Sequence, residues 1–145
     1  MLGDKTTYIR RGADSIAVTG IAFKKELHNH RHSANMPETD IMQAYKGMPA
    51  GIFNITLSHI PQHWDEILAA RKADLTLSGH VHAMQMKFPL GKRGVSPSRI
   101  IYKRWSGLYE EQGRWLYIND GTGCIMYPMR IGTPPEITQI TLKSR

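Results

Sequence analysis

Two stretches of similar pattern decide the fold: residues 53–61 read FNITLSHIP, and residues 73–82 read ADLTLSGHVH. Each begins with β-branched and large apolar residues, which favour strands, and each ends at a serine that is followed closely by histidine. Between them, Trp64, Ile67 and Leu68 recur at helical spacing. A strand, a helix and a second strand within about 25 residues predict a parallel βαβ unit with a right-handed crossover.

Three histidines follow the two predicted strands, namely His59, His80 and His82. In open α/β sheets, ligands bind outside the carboxyl ends of the strands, so we expect these imidazoles to converge at one rim of the sheet. We expect Gly79 to supply the backbone freedom that turns His80 and His82 toward a common centre. The alternative is that each histidine is only a polar group at the end of a strand.

These three imidazoles predict a metal site. Imidazole is a common ligand of zinc, iron, copper and nickel, and manganese tolerates it. A site with three histidine ligands keeps a position open to water, as catalytic metal sites do. His63, at the start of the predicted helix, is expected at the surface or behind the ligands rather than among them. His28, His30 and His32 alternate in a polar segment, residues 23–38, for which we predict a solvated loop rather than a metal site.

The rest of the chain predicts further strands joined by turns. Residues 7–22 predict a hairpin, and Thr39 is expected to cap a short helix that runs through Lys46. Because the sequence has no internal repeat, low-complexity tract or linker, we predict one domain over residues 1–145. The best remaining strand candidates are residues 99–102, 114–119 and 137–142.

The composition fits an ordinary soluble globular protein. Of the 145 residues, 41% are hydrophobic and 21% are charged. No apolar run approaches the ~20 residues of a membrane helix, and the N-terminus lacks the apolar segment of a signal peptide, so we expect no membrane insertion. Cys124 is the single cysteine, so no disulfide framework is expected and the redox compartment is left open.

The net charge of +7 favours anionic partners such as phosphate esters, nucleic acid or acidic lipid. Six of the 19 basic residues fall within residues 87–104, with aromatic residues beside them. Such a segment can serve a non-catalytic binding module for nucleic acid or anionic lipid, or it can be a solvated loop whose aromatics pack inward. We expect the solvated loop, so nucleic acid is not the expected partner. The residues are Lys87, Lys92, Arg93, Arg99, Lys103 and Arg104, with Tyr102 and Trp105.

The two histidine motifs resemble those of a known family. Ser58-His59 and the sequence GHVH at residues 79–82 are similar to the last two signature motifs of the calcineurin-like metallophosphoesterases. The resemblance implies an α/β (α+β) fold that forms the C-terminal part of a β-sandwich flanked by helices. The wider likeness, to a bacterial branch of predicted phosphohydrolases, runs over nearly the whole chain and includes residues 57–64, 74–85, 105–111 and 134–142.

The resemblance also implies an enzyme with a two-metal centre at the strand ends. In this family a pair of divalent ions (Mn, Fe or Zn) hydrolyses phosphate mono- or diesters. Two ions ~3.5–4 Å apart clamp the phosphate and activate a bridging water. By resemblance, His59 and His80 would bind the second metal and His82 the first.

The early motifs of this family are missing from the sequence. The family needs D-x-H, then G-D-x-x-D, then G-N-H-D or G-N-H-E, which supply carboxylate, asparagine and further histidine ligands. None of the six aspartates is followed two places later by histidine, and His28-Asn29-His30 resembles the third motif only superficially. Three neutral imidazoles would hold two dications weakly if at all. We therefore expect an N-terminally shortened, partial domain with partial or no metal occupancy and little or no activity of its own.

Two further expectations concern the partners and the compartment. A strand edge left unpaired, where the first half of a sandwich is missing, would favour a homo-oligomer. The compartment of the full-length protein stays unknown from the sequence, and so does the presence of an N-terminal membrane anchor.

Overall fold

A six-stranded mixed sheet carries the fold in the computed structural model, which describes residues 2–23, 41–91, 94–125 and 128–143. In chain order the strands are β1 (Lys5–Arg11), β2 (Asp14–Ile21), β3 (Asn54–Ser58), β4 (Leu75–Ser78), β5 (Gly107–Glu111) and β6 (Arg114–Ile118). Across the sheet they lie in the order β1-β2-β3-β4-β6-β5. The four inner strands run parallel, and β1 and β5 pair antiparallel at the two edges. The sheet therefore has a parallel centre and two hairpin edges.

The central βαβ unit is confirmed. β3 and β4 pair in parallel with Thr56 beside Thr76, and between them lie a 3-10 helix (Pro61–His63) and the helix α1 (Trp64–Ala70). Pro61 occupies the first turn, where its missing N–H leaves no helical hydrogen bond unmade. No helix in the described ranges has the length and apolar character needed to cross a membrane.

One face of the sheet is covered by α1 and by a 3-10 helix at Ile41–Tyr45. Buried polar residues on this face bond to one another, and the Tyr45 hydroxyl lies 3.0 Å from Thr56 Oγ1. Burial raises the pKa of Tyr45 to about 12, so this hydroxyl keeps its proton at neutral pH. The apolar core of this face includes Ile21, Ile41, Trp64, Ile67, Leu116 and Ile118.

The opposite face of the sheet, which we call the open face, is apolar. Its register places Leu57, Leu77, Tyr117 and Leu108 in one row across β3, β4, β6 and β5. Leu57 and Leu108 are exposed, and so is Trp115 in the adjacent row. In the described part of the chain no second sheet lies against this face, so the outer layer of the expected sandwich is not among these residues.

Most of the predicted elements are confirmed. The fold is a mixed α/β sheet with few helices, and the hairpin predicted for residues 7–22 is formed by β1 and β2. The strand predicted at residues 114–119 is β6, and the helix expected to end at Lys46 is the shorter 3-10 helix Ile41–Tyr45. Predictions that lie outside the described residues concern Thr39 and the loop histidines His28, His30 and His32.

The structure differs from the prediction in three places. Residues 99–102 do not form a strand, because a 3-10 helix (Pro97–Ile100) begins just before them and Ser96 Oγ caps it by accepting from Ser98 N. Residues 137–142 also form no strand. By contrast, β5 forms where no strand is expected. Its own residues do not favour a strand strongly, and its pairing with β6 stabilises the extended backbone.

Replacing Leu116 with alanine is expected to lower the unfolding free energy by about 2–5 kcal/mol, because its side chain is 0% exposed in the core. Leu108→Ala is the matched control, since Leu108 lies on the neighbouring strand but is 48% exposed. Its expected cost is below about 1 kcal/mol. Urea unfolding followed by circular dichroism measures both. Equal losses in the two variants would contradict the division into a covered face and an open face.

Candidate metal centre at the sheet rim

His59 and His80 meet at the carboxyl ends of β3 and β4. His59 directly follows β3, and His80 lies two residues beyond the end of β4. His59 Nε2 and His80 Nδ1 are 3.0 Å apart, so one ring donates its N–H and the other accepts. Phe23 packs against both rings, with centroid distances of 5.9 and 6.5 Å. The structure thus brings two of the three predicted site residues together.

The loop after β4 has an unusual left-handed backbone. His80 has a φ of 65°, and the four residues from His82 to Gln85 have φ values from 48° to 57°. Gly79 itself is not left-handed, and the left-handed positions fall on the histidines. Left-handed residues other than glycine each cost roughly 1–2 kcal/mol, so other contacts must hold this loop.

Tertiary contacts on both sides of the loop supply that support. Gln85 Nε2 donates to the Met129 carbonyl at 2.8 Å, and the Gln85 carbonyl accepts from the Ile131 N–H at 2.8 Å. Ser96 Oγ donates to the Ala83 carbonyl at 2.6 Å. The segment after β6 and the segment before the helix at 97–100 therefore fix the strained loop from two directions.

Burial and neighbouring charges both act on the pKa of His82. Burial lowers the pKa of His82 below its ordinary 6.5, and the charges of Arg130 and His59 lower it further, against the opposing effect of Asp120. Burial also lowers the pKa of His59. Both imidazoles are therefore neutral at pH 7, and neutral imidazole is the form that binds metal.

These observations fit the imidazole part of a metal centre. Two nitrogens 3.0 Å apart can both reach one ion at about 2.1 Å. His82 Nδ1 is buried and has no hydrogen-bond partner among the residues described, so this nitrogen is available to bind an ion. The described residues contain no group of three or more His, Cys, Asp or Glu side chains placed to hold an ion. Within the described residues the predicted triplet is therefore a close pair, His59 and His80, and His82 is not grouped with them.

A cleft of about 450 Å³ opens beside the histidine pair. It lies between the carboxyl ends of β2, β3 and β4, which is where ligands bind in α/β sheets. Its volume falls within the ~300–1,000 Å³ of small-molecule sites. Its polar lining comes from Ser58, His59, Ser78 and Gly79.

His63 supports the loop that carries His59. The His63 ring is buried, and its Nδ1 lies 2.9 Å from Ser58 Oγ. The same hydroxyl lies 3.1 Å from the Ile60 carbonyl, so it bridges the end of β3 and the start of the helical turn. Of the two places expected for His63, the structure excludes the surface.

Sequence reasoning missed the polar residues that follow β6 near His82. Asp120 is buried, and its Oδ2 accepts from Ser106 Oγ at 2.9 Å and lies 3.4 Å from Lys87 Nζ. Arg130 donates to the Asp120 carbonyl at 2.6 Å. The sequence signal for this region is the run NDGTG at residues 119–123, which by itself indicates only a turn.

Comparison with known proteins finds relatives of known sequence but no solved counterpart. No family model matches the chain, and no solved structure matches it significantly. The chain is 30% identical over 108 residues to an uncharacterized metallophosphoesterase of Aquifex aeolicus. It is 35% identical over 99 residues to the uncharacterized metallophosphoesterase YkuE of Bacillus subtilis, and 31% identical over 94 residues to the phosphodiesterase YaeI of Escherichia coli.

The shared region is most of this chain but a minor part of each relative. It covers 74% of the chain and 39% of the Aquifex protein. For the Bacillus protein the shares are 64% and 32%, and for the Escherichia protein they are 64% and 33%. The chain therefore spans well under half the length of the curated relatives it matches.

The basic segment at residues 87–104 makes internal contacts. Arg104 is buried and contacts both carboxylate oxygens of Glu111, at 2.6 and 2.7 Å, and it donates to Asp65 at 2.8 Å. Its hydrogen bonds hold the pKa of Glu111 below the ordinary 4.5. The charge of Arg104 is therefore matched within the fold and is not offered to a partner.

Tyr102 and Trp105, the aromatic residues noted beside the basic ones, are buried, whereas Phe88 in the same segment is 49% exposed. Tyr102 and Trp105 therefore present no stacking platform for bases. Lys87 is engaged with Ser106 and Asp120, while Lys92 and Arg93 lie outside the described residues. The expectation that nucleic acid is not a partner stays a prediction.

Replacing Arg104 with methionine is expected to lower the unfolding free energy by about 1–3 kcal/mol at neutral pH, because two carboxylates lose their charged partner. The loss should shrink as the pH falls. Arg104 lowers the pKa of Glu111; burial alone would raise the pKa of Asp65, but Arg104 and Lys103 lower it. A lowered carboxyl pKa adds stability that is complete above the ordinary pKa and is lost as the pH falls through the lowered value.

Urea unfolding at a series of pH values from about 7 down to about 3 covers this window. Arg99→Met is the matched control, since Arg99 is an exposed arginine in the same segment. Its expected effect is within about 0.5 kcal/mol at every pH. A loss in Arg104→Met that does not change with pH would rule out the ion-pair explanation.

Proposed function

Because this chain belongs to the calcineurin-like metallophosphoesterase family, we propose that it supplies the late histidine ligands of a two-metal site that hydrolyses phosphate esters. The observation that carries this proposal is the 3.0 Å contact between His59 Nε2 and His80 Nδ1 at the sheet rim. The family implies the use of divalent metal ions. Phosphate mono- or diesters are the proposed substrate class.

Each histidine has a role in the proposal. His59 and His80 hold the second metal and His82 the first, with manganese, iron or zinc as the candidate ions. When bound, such a pair supplies a nucleophilic water at neutral pH and neutralises charge on the phosphoryl group. Burial lowers the pKa of His59 and of His82 and so keeps these two imidazoles neutral, and Phe23 packs against the rings of His59 and His80.

The chain holds only the neutral half of the proposed ligand set. Carboxylates normally offset the charge of bound dications, and the described residues place none in a group of three ligands. Asp120, whose charge reaches His82, is engaged by Lys87 and Ser106. We therefore propose that hydrolysis belongs to a longer full-length protein, in which residues 1–145 form a partial phosphoesterase domain with little or no activity of its own.

The purified chain is expected to bind Zn²⁺ or Mn²⁺ weakly and to hydrolyse p-nitrophenyl phosphate and bis-p-nitrophenyl phosphate no faster than buffer with metal alone. The weak binding follows from the missing carboxylates, and His80→Ala should abolish it. Isothermal titration calorimetry measures the binding, and the absorbance of nitrophenolate measures hydrolysis. The matched control replaces the three loop histidines with serine (His28→Ser, His30→Ser and His32→Ser) and should leave the binding unchanged.

Two outcomes would contradict different parts of the proposal. Metal binding that survives His80→Ala but disappears in the loop variant would overturn the assignment of the site. Metal-dependent hydrolysis that is lost in His80→Ala would overturn the predicted inactivity while leaving the site in place.

The two edge strands of the sheet offer a route to self-association. In the described structure β1 pairs only with β2, and β5 pairs only with β6. An unpaired strand edge presents backbone donors and acceptors to a second strand. We propose that copies of this chain form a homo-oligomer through such an edge.

Sedimentation velocity over a range of protein concentrations tests this association. The sedimentation coefficient is expected to rise with concentration, because pairing of the edges follows mass action. A strictly monomeric species up to the highest concentration would refute the oligomer.

A further inference from the structure

Gly121, just after β6, lies directly against the ring of His82. A Cβ atom placed on Gly121 would be 3.1 Å from Cε1, 3.1 Å from Nε2 and 3.2 Å from Cδ2 of that ring. If the Cβ position lay in the ring plane beyond Nε2, its distances to Cε1 and Cδ2 would be clearly longer than its distance to Nε2. The near-equal distances therefore place Gly121 over the face of the imidazole, and the in-plane directions of the ring nitrogens are not blocked by it.

Glycine is required at this position for two separate reasons. Its φ is +79°, a left-handed value that disfavours any side chain, and the space for a Cβ is taken by the imidazole. Two other glycines serve as comparisons, because a Cβ on either would have no neighbouring atom within 4 Å. Gly113, in the β5–β6 hairpin, has a φ of +72° with nothing within 4 Å of a Cβ position. Gly123, two residues along the chain, also has nothing within 4 Å and is not left-handed.

The backbone around Gly121 is held on both sides, so it cannot retreat from the ring. The Gly121 N–H donates to Asn119 Oδ1 at 2.7 Å, and the Gly121 carbonyl accepts from the Glu136 N–H at 3.0 Å. The Asp120 N–H donates to Glu136 Oε2 at 2.8 Å, and Arg130 Nη2 donates to the Asp120 carbonyl at 2.6 Å. Arg130 and Glu136 therefore fix the distance of this turn from the imidazole.

We propose that Gly121 is a positioning residue, which sets the orientation of His82 for metal binding by serving as a flat seat for its ring. This inference rests on the proposed function, since it assigns a role toward the metal that His82 would hold. A methyl group on Gly121 would push the imidazole away by a few tenths of an ångström. A displacement of this size takes up much of the ~0.5 Å within which metal ligands must be held, so the affinity should fall.

The experiment uses the full chain and compares three variants: Gly121→Ala, Gly113→Ala and Gly123→Ala. NMR of the histidine ring nitrogens and protons reports the orientation of His82 without metal, and Zn²⁺ titration reports its binding. Gly121→Ala should shift the His82 ring signals and weaken Zn²⁺ binding by about tenfold, the scale on which supporting residues act. Gly113→Ala has the same left-handed strain without the contact, so it should lose stability but keep the ring signals and the affinity. Gly123→Ala should change neither.

A double variant separates positioning from general damage. In the His82→Ala background, adding Gly121→Ala should not weaken Zn²⁺ binding further, because the residue on which it acts is gone. Shifted ring signals with unchanged Zn²⁺ affinity would overturn the positioning role and leave the proposed function standing. If His80→Ala, made in a chain that keeps Gly121, does not weaken Zn²⁺ binding, the proposed site is overturned, and this inference with it. If the His82 ring signals do not shift in Gly121→Ala, the claim that Gly121 sets the orientation of this ring is overturned.

Discussion

The parallel register between β3 and β4 is the constraint on which the rim depends. With Leu57 beside Leu77, the two strands end level, and the Gly79 N–H donates to the His59 carbonyl at 3.2 Å just beyond them. A slip of one residue would exchange the two faces of a strand and would carry His59 away from His80. The packing of the covered face opposes such a slip, because the slip would turn the core side chains of that strand toward the open face.

The sequence predicts the unit of β3, α1 and β4 well, because helical spacing of apolar residues and strand-favouring composition are local signals. Apolar spacing predicts α1, and β-branched runs predict β3 and β4, so the meeting of His59 and His80 follows from topology alone. The remaining features depend on distant contacts. β5 requires β6 as a partner, the left-handed loop requires its bonds to residues after β6, and the seat of His82 requires Gly121, which lies far away in sequence. Local propensity contains no information about any of these.

The loop that carries His80 and His82 shows how the rim and the C-terminal segment depend on each other. Apart from Val81, every residue from 80 to 85 is left-handed, and strain of this kind persists only where surroundings over-determine it. Those surroundings are the residues after β6, which bind Gln85 and also enclose Asp120. Two histidines of the candidate centre therefore owe their placement to a part of the chain that contributes no predicted ligand.

The open face described above has a thermodynamic consequence for the rim. β3 and β4 place Leu57 and Leu77 on that face, and both residues also line the cleft beside His59. Suppose that a protein layer covers these leucines and orders the cleft in a way that raises the affinity of the rim for a metal ion. Reciprocity then requires the ion to strengthen the hold of that layer by the same factor. The fraction of chains that hold a metal ion and the fraction whose open face is covered would then rise and fall together.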